Sequence, residues 1–255
     1  MSIMKKLTIT ISLFFAMFFC HAEQFNVLLF SKTAGWHHKS INQGVNGLET
    51  LAKQHFFKLD WHEDANRFND EFLKQFDVIV FLNTTGDILN KDQQAAFQRF
   101  IQSGKGFVGI HSAADTEYDW PWYGKMIGHY FKIHPQIQTA QLNILNNQFP
   151  GMVAFNDKQL WTDEWYDFYP SKQTNLNYIL AVDEQSYSPE ASWGDIKTKG
   201  MGDFHPIAWY HNYDGGRAFY TALGHMPSVY SNEQFLRHLY GGIYWAATGK
   251  GIKSN

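Results

Sequence analysis

The side chains in this sequence that could carry out chemistry are histidines and carboxylates set among aromatic rings. His111 is the sharpest candidate. It sits in Gly109-Ile110-His111-Ser112-Ala113, at the end of an apolar run, where a chain leaving a buried strand turns sharply and presents one side chain. A nucleophile elbow carries Ser or Cys at that point. An imidazole there serves as general base, as proton donor to a sugar oxygen or as metal ligand, the alternative being a buried histidine bonded to backbone. Asp163-Glu164-Trp165-Tyr166 sets two carboxylates beside two aromatic rings, surroundings that raise a carboxyl pKa toward general-acid use, unless the stretch is a solvated acidic turn.

Other candidates follow from their neighbours. His37 and His38 are adjacent, so in an extended loop they point in opposite directions and at most one enters a shared site. Pro135 holds His134 extended. His225 follows Gly224 at the end of a late strand. Arg217, between Gly216 and Ala218, either clamps an anionic or keto oxygen or ion-pairs at a strand start. His55, His62, His129 and His238 follow helix or strand spacing and read as structural. The strong metal signatures (H-E-x-x-H, paired cysteines, an EF-hand loop) are missing. A set assembled from His111, His134, His205 and His225 is the remaining metal option, with Zn or Mn as the candidate ion. No P-loop occurs and no G-x-G-x-x-G follows the first strand, so nucleotide binding has no support.

The elements that must position these groups alternate in type. Apolar, strand-like runs at residues 25–31, 57–61, 77–83 and 106–112 are separated by helix patterns at 40–54 and after Asn90, where Asn90 and Gln93 form a capping-box signal and Gly104 a stop. Strands alternating with helices predict a parallel sheet covered on both faces, with ligands beyond the carboxyl ends of its strands. Those ends carry Trp36-His37-His38, Asn83-Thr84-Thr85-Gly86-Asp87, His111 to Asp115, and Gly224-His225. Later, 120–128 reads as a short aromatic helix, 136–145, 178–183, 206–212 and 217–224 as strands, and Ser231 with Gln234 as the start of a closing helix to about Ala247. Residues 187–202 read as an exposed loop. No repeat or linker divides the chain, so one elaborated α/β domain over residues 23–255 is expected.

Composition narrows the function classes. The 21 Lys and Arg against 24 Asp and Glu exclude a basic nucleic-acid surface, and the 17% aromatic share suits a pocket that stacks on sugar rings. Residues 1–22 have the parts of a cleaved secretory signal: Lys5 and Lys6, an apolar stretch from 7 to 19, and Cys20-His21-Ala22. Cleavage after Ala22 predicts a periplasmic or secreted protein and removes the only cysteine, which excludes disulfides and thiol catalysis from the mature chain.

Five dispersed motifs then resemble the ThuA-like, or trehalose-utilisation, family: residues 107–116, 120–135, 163–168, 205–211 and 216–225, with 241–249 fitting as well. The resemblance spans the mature chain in order. It implies a flavodoxin-like α/β fold, related to the class I glutamine amidotransferases, with a parallel sheet flanked by helices. Those enzymes carry a cysteine where this chain has His111, so glutaminase activity is not carried over. The resemblance also implies a role in catabolism of trehalose and related disaccharides, including 3-keto sugars. The matching positions form a candidate pocket of His111, Asp115, His134, Glu164, His205, Arg217 and His225, with Trp36 and His38 from the first loop.

On this reading the chain is an exported enzyme acting on a disaccharide or 3-keto-glycoside, with His111 and Glu164 or His225 exchanging protons and aromatic rings, with the remaining pocket residues, holding the sugar. A metal-assisted hydrolase is a variant, and a non-catalytic periplasmic carbohydrate-binding protein is the alternative from another class. The expected partner is a small-molecule carbohydrate, not nucleic acid, nor a membrane once the signal is cleaved. Periodicity locates no exposed apolar patch that would specify an oligomer.

Overall fold

The computed structural model describes residues 23–169 and 173–251, so the proposed signal segment lies outside the described residues. The first half is a run of strand–helix units. β1 (Asn26–Phe30), β2 (Lys58–His62), β3 (Val78–Leu82) and β4 (Gly106–Ile110) alternate with α1 (Ile41–His55), α2 (Asp70–Leu73) and α3 (Lys91–Gln102). β3 and β4 are buried at every position, which is why they read as continuous apolar runs instead of alternating ones. The Asn90 capping box is present: its side chain accepts from the backbone of Asp92 and Gln93, and the Gln93 side chain returns to the Asn90 backbone.

The second half departs from a purely parallel plan. α4 (Pro121–Ile127), β5 (Tyr130–Ile133), β6 (Gln138–Ile144), β7 (Leu160–Asp163), β8 (Asp167–Tyr169) and β9 (Asn177–Asp183) follow. Next come β10 (Ala191–Trp193), β11 (Ile196–Thr198), β12 (His205–Tyr213), β13 (Gly216–Thr221) and α5 (Glu233–Thr248). The nine-stranded sheet runs β2-β1-β3-β4-β13-β12-β9-β6-β7. Pairing is parallel from β2 through β13 and antiparallel from β13 to β7. The cause is local: β12 and β13 are joined by a tight turn at Asp214-Gly215, and a two-residue hairpin forces antiparallel neighbours. The exposed loop expected at 187–202 contains the small β10–β11 hairpin.

The closing helix begins one residue later than its sequence signal. Asn232 is the cap, its side chain accepting from Gln234 and Phe235, and Ser231 belongs to the preceding 3-10 turn. The chain reverses direction around β1: β2 pairs on one side and β3 on the other. The carboxyl ends of β1 and β3 therefore open a crevice, where α/β sheets place ligands. A bridge from Thr33 to Thr85 and the bond from Asn83 Nδ2 to Ser40 Oγ (2.8 Å) hold the two loops there.

Candidate functional site

Four strand ends and the stretch after β7 meet over that crevice. After β4 the backbone of His111 turns at φ 50, an uncommon conformation for a side-chain-bearing residue, and enters a 3-10 turn through Asp115. The strained turn lets β4 end by presenting the imidazole, much as an elbow presents a nucleophile. The ring is fully buried and fixed: its Nδ1–H donates to the Ala222 carbonyl (2.8 Å), and Tyr220 Oη donates to the His111 carbonyl (2.7 Å). With that proton committed, a neutral ring turns its Nε2 lone pair toward the crevice.

His225 arrives from the turn after β13. Gly224 sits at φ +123, and a Cβ there would fall 2.8 Å from Tyr230 Oη, so the turn requires glycine. The buried Asp163 carboxylate clamps the turn by accepting from Gly224 N (2.9 Å) and His225 N (3.1 Å), as well as from Glu164 N (3.0 Å). The two acidic neighbours thus divide their work: Asp163 faces backbone, and Glu164 faces histidines. Glu164 Oε2 lies 3.0 Å from His225 Nδ1 and 3.4 Å from His111 Nε2, while Oε1 lies 3.2 Å from His134 Nε2. His225 Nδ1 and His111 Nε2 are 3.3 Å apart. His38 is buried and His37 exposed, and His38 sets its ring edge-on to His111 and His225, with Ser112 Oγ at its Nδ1 (3.2 Å).

Charge follows from this packing. Burial lowers His38 to about 2, helped by the nearby His111 and His225. Burial alone would raise Glu164, but the close contacts with His111 and His225 and the surrounding histidine charges win, and its carboxyl lies well below the usual range. The expectation of a raised carboxyl pKa therefore fails at Glu164. Burial does raise Asp163 and Asp115, in Asp115 against the hydroxyl of Tyr118, which donates to it at 2.7 Å. Burial also opposes a charge on His225, yet its bond to Glu164 and the Glu164 and Asp163 charges outweigh that and raise it. His134 is lowered, chiefly by burial.

Above these groups is a cavity of about 360 Å³ lined by Trp36, His38, Asp115, Phe131, His134, Glu164, Tyr166, Trp193 and His225. Phe131 and Tyr166 are in ring contact (4.2 Å), His111 lies against Tyr166 (4.3 Å), and Trp193 meets His134 edge-on (4.5 Å). A second cleft, about 620 Å³, continues past His134 and Trp193 to Gln138, Ser188 and Glu190, so the crevice is longer than one ring. Trp36, 69% exposed, stands at its mouth.

The structure thus brings together Trp36, His38, His111, Asp115, His134, Glu164 and His225, and leaves out two expected members. Arg217 donates to the carbonyls of Ala246, Gly104 and Ala247, so it caps the end of α5 and lies outside the cluster of the other candidates. His205 lies behind the wall: Nε2 donates to the Tyr166 carbonyl (2.8 Å), and Nδ1 meets Glu184 (2.7 Å) and Tyr187 Oη (3.1 Å). The four-histidine metal set is corrected accordingly. Among the described residues, the groups with donor atoms close enough to share an ion are His38, His111, Glu164 and His225, and separately Asp167, Glu184 and His205. Sequence reading missed Trp193 and Phe131 as wall residues. The signal for Trp193 was a single Trp inside a polar, Ser/Gly-rich loop.

A family profile described as ThuA, trehalose utilisation, matches residues 26–246. A search of curated proteins finds no match. Among solved structures, the chain is similar to a ThuA-like protein from Bacteroides uniformis, with 21% identity, TM-score 0.74, and 94% of this chain and 98% of that one covered. It is also similar to a ThuA-like protein from Parabacteroides merdae, with 18% identity, TM-score 0.71, and coverage of 91% and 92%. At those identities the likeness shows the fold.

Proposed function

The chain belongs to the ThuA, or trehalose-utilisation, family, and from that premise we propose that it is an exported enzyme acting on a disaccharide or 3-keto-glycoside by acid–base chemistry in the crevice beyond β1, β3, β4 and β13. The observation that carries the reading is the convergence of His111, His134 and His225 on one buried carboxylate, Glu164, at the floor of an aromatic-walled cavity. A volume of about 360 Å³ lies within the roughly 300–1,000 Å³ of small-molecule sites, and the adjoining cleft leaves room for a second ring. Flat apolar faces beside a few convergent polar groups suit a sugar, whose ring C–H face stacks while its hydroxyls bond.

A 3-keto group acidifies the neighbouring C–H, so elimination or isomerisation needs a base and an acid but no strong nucleophile. His134 lines the cavity and its ring is held by the Pro135 carbonyl (2.7 Å), which makes it the base best placed to reach a substrate. Asp115, raised by burial, keeps its proton to a higher pH than an exposed aspartate and is suited to donate it. Glu164, His111 and His225 form the floor against which both act.

The test is NMR analysis of the protein incubated with 3-keto-trehalose and with trehalose. The reading expects conversion of the keto sugar, lost in His134→Ala and strongly reduced in Asp115→Asn. Sugar recovered unchanged with broadened lines would overturn the enzyme reading in favour of a carbohydrate-binding protein. Sugars neither bound nor converted would overturn both.

A further inference from the structure

The floor of the crevice has a geometry that proton sharing alone does not require. His111 Nε2, His225 Nδ1 and Glu164 Oε2 form a triangle with sides of 3.3, 3.0 and 3.4 Å. Three atoms bound to one first-row divalent ion at about 2.0–2.1 Å stand roughly 2.8–3.4 Å apart, from octahedral to tetrahedral angles. All three sides fall in the range that a shared ion needs. A pairwise hydrogen bond needs only one short side.

The supports behind the triangle point the same way. The remaining ring nitrogen of His111 donates to the Ala222 carbonyl, which fixes the tautomer that turns a lone pair inward. The backbone of His225 and that of Glu164 are both held by Asp163, so two corners share one rigid anchor. His38 brings a fourth donor atom within 4.8 Å of the other three. It is buried at the foot of the cavity, and Ser112 Oγ lies 3.2 Å from its Nδ1. Two imidazoles and one carboxylate on one face leave the opposite side free for exogenous ligands. Here that side is the aromatic cavity.

The other group of clustered donors is built differently. Glu184 already accepts from the backbone N–H groups of Met201 and Gly202 and meets His205, and Thr198 donates to Asp167. Those bonds tie a loop down and engage both carboxylate oxygens of Glu184 and both ring nitrogens of His205, which border a separate cleft of about 440 Å³.

We propose that His111, Glu164 and His225, with His38 as a fourth ligand, bind a divalent first-row transition metal of the Zn or Mn class, whose open positions face the crevice and take a pair of adjacent sugar oxygens. The ion itself is inferred from the triangle; the choice of sugar oxygens as its outer ligands rests on the functional reading above. His134, whose Nε2 meets the other carboxylate oxygen of Glu164, stays outside the ligand set.

The protein is stripped with a chelator, dialysed, and titrated with Zn²⁺, Mn²⁺ and Co²⁺ in the absence of sugar. Bound metal is counted by elemental analysis, and the visible bands of Co²⁺ report its coordination. One ion per chain is expected. Affinity should fall at least about tenfold, the loss that removal of even an outer-shell partner typically causes, in Glu164→Gln and in His225→Ala. It should be retained in His134→Ala and in Glu184→Gln. Circular dichroism checks that each variant is folded, and Glu164→Asp, which keeps the carboxylate, gives a second reading if Glu164→Gln does not fold. Absence of stoichiometric binding by the parent protein overturns the proposal, as does binding that survives both ligand variants or is lost in Glu184→Gln. NMR turnover is then run on stripped and reloaded protein. Metal bound with keto sugar untouched leaves the metal site standing and removes the sugar chemistry. Turnover undiminished in metal-free protein leaves the sugar chemistry standing and removes the metal from it.

Discussion

Asp163 offers the sharpest test of how the crevice is assembled, because it serves the site without facing it. Its carboxylate is the acceptor for three backbone N–H groups, those of Glu164, Gly224 and His225, and is fully buried. Asp163→Ala strands all three donors. Each buried donor left without a partner costs about 1–3 kcal/mol, so the gross loss is roughly 3–9 kcal/mol. Part of this is offset, since burial penalises the charged carboxylate and its pKa is raised. A net loss of about 3–5 kcal/mol is expected, the range for removing one side of a buried charged contact. At about 2–4 °C per kcal/mol for a chain of this size, Tm should fall by roughly 6–20 °C. Asp163→Asn keeps Oδ1, the acceptor for Glu164 and His225, and replaces Oδ2, the acceptor for Gly224, by an amide that cannot accept. Its loss should be smaller, about 1–3 kcal/mol. Thermal and urea unfolding at pH 7 measure both. A change within about 0.5 kcal/mol for Asp163→Ala, the scale of an ordinary surface substitution, would refute the clamp. Equal losses for Ala and Asn would show that charge, not the three-bond geometry, is what matters.

Three further outcomes follow from other residues. Trp193→Ala should weaken sugar binding roughly two- to tenfold, the worth of one aromatic contact, with kcat nearly unchanged; calorimetry and steady-state rates separate the two. Burial would raise Glu184, but His205 and the N–H groups of Met201 and Gly202 bond to it and hold its pKa below the usual value, with Asp167 and Tyr187 also nearby. A carboxyl depressed in the folded state stabilises above its unfolded pKa, about 4.3, and that stability is lost as pH falls through the folded value. The Tm gap between the parent and Glu184→Gln should therefore be present at pH 7 and close below about pH 4. Arg217→Met removes three bonds to carbonyls at the end of α5 and should cost about 1–3 kcal/mol of stability, while keto-sugar turnover stays unchanged, which an unfolding curve and an NMR assay check together.

The parallel half of the fold was readable because each element is locally self-sufficient. β3 shows an unbroken apolar run, α3 carries its own capping box, and α1 has the helical period. The antiparallel half was not, since its strands take their identity from partners far along the chain. β7 alternates exposed and buried over only four residues, and β8 covers three. Among the described residues, β5 and β8 pair with each other, outside the main sheet. Short strands stabilised by distant neighbours leave little periodicity to detect. The helix start displaced from Ser231 to Asn232 is a smaller case of the same kind, as both residue types can cap and only the chain's path chooses.

Most of the crevice was legible because strand ends in an α/β sheet converge by topology, so His38, His111 and His225 could be grouped before their distances were known. Arg217 and His205 fall outside that logic for a physical reason. Each lies at the start of a strand, β13 for Arg217 and β12 for His205. β13 runs parallel to β4, so its start lies at the edge opposite the crevice, where Arg217 meets the end of α5. β12 runs antiparallel to β13, so its start does reach the crevice end, but β12 is one strand farther out and His205 arrives behind Tyr166 instead of beside His111. A motif residue is therefore placed in such a site by two facts together, the direction of its strand and its distance from the crossover. Asp163 and Glu164 add a third. Adjacent carboxylates at the end of β7 point apart, and that alternation makes one a clamp for the backbone and the other the point where three histidines meet.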